Sequence, residues 1–221
     1  MEQLKIKLSF EEDELNKVAK EIDRRDPKHI TDYWRMVWKV DGKKAGLSIQ
    51  VPDFPSNSIG LKTAEDLGGG PIYIPPEVKQ SRYLLALMWP EMSESLALKQ
   101  GQLFPDSTNH SGWRYVANSL NAPYLGTTEG EMKAILGYLG AESINLTELV
   151  IGARDSWHQT GHYLDERTWA RILPDSLAVH FFKPPSRLRI LSGLDPDSRC
   201  LRLGFRWSMP VLNPLLGRRR F

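Results

Sequence analysis

The sequence predicts an α+β protein: antiparallel sheets built from hairpins, with two to four helices packed against them. Three observations carry that prediction. Two alternating apolar runs flank Asp41-Gly42, helix-start signatures stand at Ser9 and Thr128, and no strand–helix–strand alternation of the kind that builds parallel sheets recurs. The 221 residues, 41% hydrophobic and 25% charged, suffice for a sizeable core. They read as one domain, 1–221, with residues 53–76 as the candidate point of subdivision.

From the start of the chain, Leu4, Ile6, Leu8 and Phe10 alternate with Lys5, Lys7 and Ser9, the pattern of a half-buried strand. Ser9-Phe10-Glu11-Glu12 then has the form of a capping box. Leu15, Val18, Ala19 and Ile22 fall on one face of the helix it would open, which ends near Arg25. Trp34, Met36, Trp38 and Val40 lead up to Asp41-Gly42, and Ala45, Leu47, Ile49 and Val51 follow it. A two-residue Asp-Gly turn would pair Trp38 with Ala45, Met36 with Leu47 and Trp34 with Ile49, leaving every apolar side chain on one face.

The segment 53–76 holds four of the 15 prolines and the run Gly68-Gly69-Gly70, so it reads as loop, with a bend before a strand at Ile72–Ile74. Tyr83–Trp89 is a buried element stopped by Pro90, and Glu91–Gln100 reads as helix. Thr128-Glu129-Gly130-Glu131 is a second capping box, ahead of Met132, Ile135, Leu136 and Leu139, with Gly140 placed to end the helix. Asp165–Leu173 reads as a short helix stopped by Pro174. Ser176–Phe182, Arg187–Leu191 and Cys200–Trp207 read as strands, the last with Leu201, Leu203, Phe205 and Trp207 alternating with Arg202, Gly204 and Arg206.

The net charge is only +2, yet it is unevenly spread. Lys183, Arg187, Arg189, Arg199, Arg202, Arg206, Arg218, Arg219 and Arg220 face only Asp195 and Asp197 in the last 39 residues, a local +7 against −5 for the rest. Arginine contacts phosphate and carboxylate bidentately and stacks on bases. The alternation of Arg187 and Arg189 with Leu188 and Ile190, and of Arg202 and Arg206 with Leu203 and Phe205, puts arginines on one sheet face. The expected activity is therefore non-catalytic: a binding or assembly subunit of a larger complex. Its basic sheet and tail, through Arg187, Arg189, Arg199, Arg202, Arg206, Arg218, Arg219 and Arg220, contact nucleic acid or an acidic protein partner.

The one cysteine, Cys200, excludes an internal disulfide and a cysteine-based zinc site, in keeping with a reducing, cytoplasmic setting. No apolar run approaches the ~20 residues needed to span a bilayer, so a soluble protein without membrane contact is expected. No cofactor signature stands out: Gly68-Gly69-Gly70 lacks the Lys-Ser/Thr of a phosphate-binding loop.

The stretch Ala153–Trp169 invites a catalytic reading. His158 and His162 have the i, i+4 spacing of a helix-borne zinc site, which Asp155 could complete. Gln159 stands where a general base is needed, and Gly161 weakens the helix, so the stretch is expected to be a polar loop without metal. A second reading pairs His158-Gln159-Thr160 with His29-Ile30-Thr31. Two such His-x-Thr motifs resemble the two-histidine phosphoesterases; the resemblance implies that His29 and His158, each on a strand, act as general acid and base. The segment from Asp195 to Arg206 resembles the closing segment of the formylglycine-generating-enzyme and C-type-lectin-like group. That implies a ligand-binding domain whose oxidase activity is absent, because the family's paired catalytic cysteines are missing.

Overall fold

The computed structural model describes residues 2–44, 46–56, 61–78, 110–172, 177–181, 188–191, 195–197 and 199–211, and only the backbone for 2–10, 177–181 and 188–191. The fold is α+β. Its described elements are α1 (Glu2–Glu21), α2 (Pro27–Lys44), α3 (Leu61–Asp66), β1 (Gly69–Ile74), β2 (Gly112–Ala117), α4 (Glu129–Leu139), β3 (Glu142–Ser143), α5 (Leu146–Thr160), β4 (Trp169–Ile172), β5 (Leu177–Phe181), β6 (Leu188–Leu191), β7 (Leu203–Phe205) and β8 (Trp207–Pro210). One sheet, in the order β1-β2-β8-β3, is antiparallel throughout. The other runs β6-β5-β4-β7, antiparallel except for the β4–β7 pair, which is parallel. Five described helices exceed the two to four expected. Tyr83–Trp89 and Glu91–Gln100 lie outside the described residues.

The hairpin at Asp41-Gly42 does not form. Residues 27–44 are one helix, and Gly42 lies inside it. The alternation of Trp34, Met36, Trp38 and Val40 is embedded in a longer series, Ile30, Tyr33, Trp34, Val37, Trp38 and Asp41, all buried, with the 3–4 residue spacing of a helix face. The turn comes four residues later than expected. Gly46, at φ 68°, reverses the chain, and the Leu47 amide returns to the Gly42 carbonyl at 2.8 Å. Residues 47–51 then run alongside without pairing as a strand.

What holds α2 in place is a match of two periods. The indole N–H of Trp34 donates to the Pro71 carbonyl at 3.1 Å, and that of Trp38 to the Tyr73 carbonyl at 3.0 Å. Four residues of helix rise about 6 Å and two residues of strand about 6.6 Å, so one helix face can satisfy alternate carbonyls of β1.

The strand expected at Leu4–Phe10 is also helical. Glu2–Glu21 has no Gly or Pro to stop it, and Ser9 sits within α1 instead of capping it. The anticipated face is present, with Leu15 and Ala19 buried and Val18 and Ile22 packed on the core. Helix α1 packs on α2 and α5, and α2 and α5 pack on β1.

Two local signatures produce what their chemistry implies. The Thr128 side chain accepts from the Glu131 amide while Glu131 reaches back to the Thr128 amide, and Gly140 at φ 61° ends α4. Strands appear at Ile72–Ile74, at 177–181 and at 188–191. The glycine run before them has two separate uses. Gly68 turns the chain at φ 69°, and a Cβ on Gly69 would meet the buried Trp207 ring at 2.2 Å.

Candidate functional site

Within the basic C-terminal end, residues 183–221, the chain changes sheets. The expected strand Cys200–Trp207 is two strands: β7 lies beside β4 in the second sheet and β8 beside β2 and β3 in the first. Arg206 sits between them with no solvent exposure. Its Nε and Nη2 donate to the two Asp165 carboxylate oxygens at 2.8 Å each, Nη1 donates to the Ala117 carbonyl at 2.8 Å, and Nη2 to that of Ser119 at 2.7 Å. A planar guanidinium fork suits this task, and pairing removes most of the penalty of burying the charge. Arg206 is thus committed internally, which corrects the expectation that it faces a partner beside Arg202.

Asp165 is placed by the same interaction. It holds φ 59°, accepts from Thr168 Oγ1 at 3.0 Å, and its amide donates to the Leu120 carbonyl at 2.7 Å. The helix expected at Asp165–Leu173 is replaced by a turn leading into β4, because residue 165 is in the left-handed region and its carboxylate serves Arg206.

The other arginines divide further. Arg199 is exposed and pairs with Glu131 at 2.6 Å; the Thr128 backbone and side chain, then Arg199, hold that carboxyl below its usual range. Arg202 is exposed, and no side-chain hydrogen bond or ion pair ties it to the described residues. Arg189 lies in β6, opposite His180 in β5. In the order β6-β5-β4-β7, Arg189 lies on the strand farthest from β7, the strand that Arg202 and Arg206 flank. Arg187, Arg218, Arg219 and Arg220 lie outside the described residues. Arg167, which sequence reasoning passed over, is exposed two residues before Trp169, whose amide donates to the Arg202 carbonyl at 2.7 Å.

The histidines do not converge. Residues 153–160, expected as polar loop, form the end of α5, closed by Gly161 at φ 70°. His158 is fully buried, its Nδ1 2.6 Å from Asn16 Oδ1 and its Nε2 3.9 Å from Asp41 Oδ2. His162 lies past the helix end and faces Glu166 at 3.2 Å. His29 is on the surface of α2 near Asp26. Both His-x-Thr motifs are therefore helical, and one histidine is sealed from solvent, unlike the strand-borne pair implied by the phosphoesterase resemblance. Among the described residues no group of His, Cys, Asp and Glu is arranged to hold a metal.

A buried ionic network between α1, α2 and α5 was not anticipated. Arg154 donates to both Asp41 oxygens at 3.3 Å and also to Glu12, while Lys44 bonds Glu12 at 2.8 Å. Burial alone would raise the Asp41 carboxyl; Arg154, then His158 and Lys44, outweigh it and hold it well below its usual value. Burial likewise acts against the Arg154 charge, and Asp41 and Glu12 reverse the effect, raising its pKa. Nearby, Asp155 accepts from Tyr33 Oη at 2.5 Å and from Arg24 at 2.9 and 3.1 Å. Burial and the Asp155 charge push the Tyr33 phenol well above its usual range. The signal in the sequence was Asp41 at a helix-face position, visible only once α2 is read as a helix. The sequence also holds a capping box that was missed, Asn145-Leu146-Thr147-Glu148, which is reciprocal and starts α5.

No protein-family model matches the chain, and no curated protein or solved structure matches it. None of the described helices is long and apolar enough to cross a membrane.

Proposed function

We propose that this chain is a non-catalytic binding or assembly subunit of a larger cytoplasmic complex. Its basic C-terminal end engages an anionic partner, either nucleic acid or an acidic protein surface. One observation carries the reading: residues 183–221 hold nine basic side chains against two acidic ones, and although Asp165 takes up Arg206 and Glu131 takes up Arg199, Arg202 is exposed with no partner among the described residues. A surface that only needs solvation mixes its signs. The ion pairs described above reinforce the point, because the arginines with structural duties, such as Arg206 and Arg154, are matched by carboxylates.

The test is binding of the full chain to single-stranded and duplex oligonucleotides and to acidic polypeptides, measured across a salt series. Affinity should fall linearly in log–log form as counterions are released. Absence of salt-dependent binding to every anionic probe would overturn the reading.

A further inference from the structure

Three large apolar side chains stand out of the loops at the β7 edge of the second sheet. Leu201 is 88% exposed, Leu125 46% and Leu120 44%, whereas Phe205 and Trp207 close by have no exposure. Backbone hydrogen bonds join these loops. The Asp165 amide donates to the Leu120 carbonyl, Gly126 to Leu203 at 2.9 Å, Phe205 to Pro123 at 3.1 Å and Trp169 to Arg202. Leu125 also covers Gly204, where a Cβ would approach its Cδ2 to 3.0 Å and the Pro123 carbonyl to 2.4 Å. Leu120, Leu125 and Leu201 are thereby held in loops that meet at one edge. Arg202 adjoins Leu201, and Arg167 lies two residues before Trp169. Both arginines are exposed, and neither has a side-chain hydrogen bond or ion pair among the described residues.

A single exposed leucine needs no explanation. Three on hydrogen-bonded loops, flanked by two guanidinium groups without a partner among the described residues, have the makeup of an interface: an apolar centre with arginine at its border. Ordered loops also lose little freedom on binding. We infer that this surface docks an acidic segment of another protein, with carboxylates meeting Arg167 and Arg202 and apolar side chains covering Leu120, Leu125 and Leu201. The inference rests on the proposed function and selects protein over nucleic acid. A phosphate backbone needs only the arginines, and unpaired bases stack on aromatic rings, whereas the exposed apolar groups here are aliphatic.

The experiment uses the full chain and fluorescence anisotropy. The probes are a labelled amphipathic peptide of about 20 residues carrying Glu and Leu on one helix face, polyglutamate of equal length, and single-stranded and duplex oligonucleotides. The peptide is expected to bind about tenfold more tightly than polyglutamate, and Leu201→Ser, at the apolar centre, and Arg202→Gln, which loses a carboxylate contact at its border, should each weaken it about fivefold or more. Circular dichroism should be unchanged in both variants. Equal binding of peptide and polyglutamate, or indifference to Leu201→Ser, overturns the inference. Tighter, salt-dependent oligonucleotide binding that ignores Leu201→Ser overturns it while leaving the proposed function standing. Self-association abolished by Leu201→Ser assigns the surface to a second copy and also overturns it. If no anionic probe binds, both fall.

Discussion

Arg206 and Asp165 form a bidentate ion pair, two contacts of 2.8 Å between side chains that have no solvent exposure. The pair fastens the β7–β8 crossover to the turn before β4 and, through the Ala117 and Ser119 carbonyls, to the end of β2. It separates two arginines that look equivalent in the sequence. Arg206→Gln leaves a buried carboxylate unmatched and should lower stability by about 3–5 kcal/mol. Arg202→Gln, at an exposed position, should stay within about 0.5 kcal/mol of the parent. Urea unfolding midpoints check both, and equal stabilities would contradict the structural role assigned to the pair.

Acid should expose the Asp41–Arg154 network. A carboxyl whose folded-state pKa is depressed contributes stability above its unfolded value, near 3.8, and loses it as pH falls below that value. Stability should therefore hold from pH 7 to about 5 and decline more steeply below about 4. Asp41→Asn should cost about 3–5 kcal/mol at pH 7, by leaving Arg154 partly unmatched, and should flatten the acid-side decline. Chemical denaturation at a series of pH values reads both effects. An unchanged acid profile in the variant would remove Asp41 from the account.

His158 is expected to matter for the fold and His162 not. His158 is buried in α5 against Asn16 on α1, so His158→Ala opens a cavity and strands the Asn16 carbonyl, costing about 2–4 kcal/mol. His162 is 45% exposed, and His162→Ala should change stability by less than about 0.5 kcal/mol. Thermal unfolding of the two variants side by side decides the matter.

Two helical glycines should respond to alanine in opposite ways. A Cβ on Gly137 in α4 meets nothing within 4 Å, so Gly137→Ala should gain up to about 1 kcal/mol from helix propensity. A Cβ on Gly42 would lie 3.0 Å from the Leu47 carbonyl, whose own amide is bonded to Gly42. Gly42→Ala should therefore show no gain. Stabilisation by both substitutions would mean that the α2 terminus is looser than the 2.8 Å bond implies.

The sequence by itself determined what rests on neighbours along the chain. The α4 boundaries follow from Thr128, Glu131 and Gly140, because caps are bonds between residues three or four apart and a left-handed residue favours glycine. The strands at 72–74, 177–181 and 188–191, the apolar face of α1, and the uneven charge are likewise local or compositional. Tertiary structure decided the rest. Trp34, Met36, Trp38 and Val40 satisfy a period of two, but β1 offers carbonyls to Trp34 and Trp38 and α5 offers Arg154 to Asp41, and those long-range partners select the helix. Arg202 and Arg206 differ for the same reason. Their local sequence is alike, and only the folded chain brings Asp165 to one of them, 41 residues away, where burial makes the pairing obligatory.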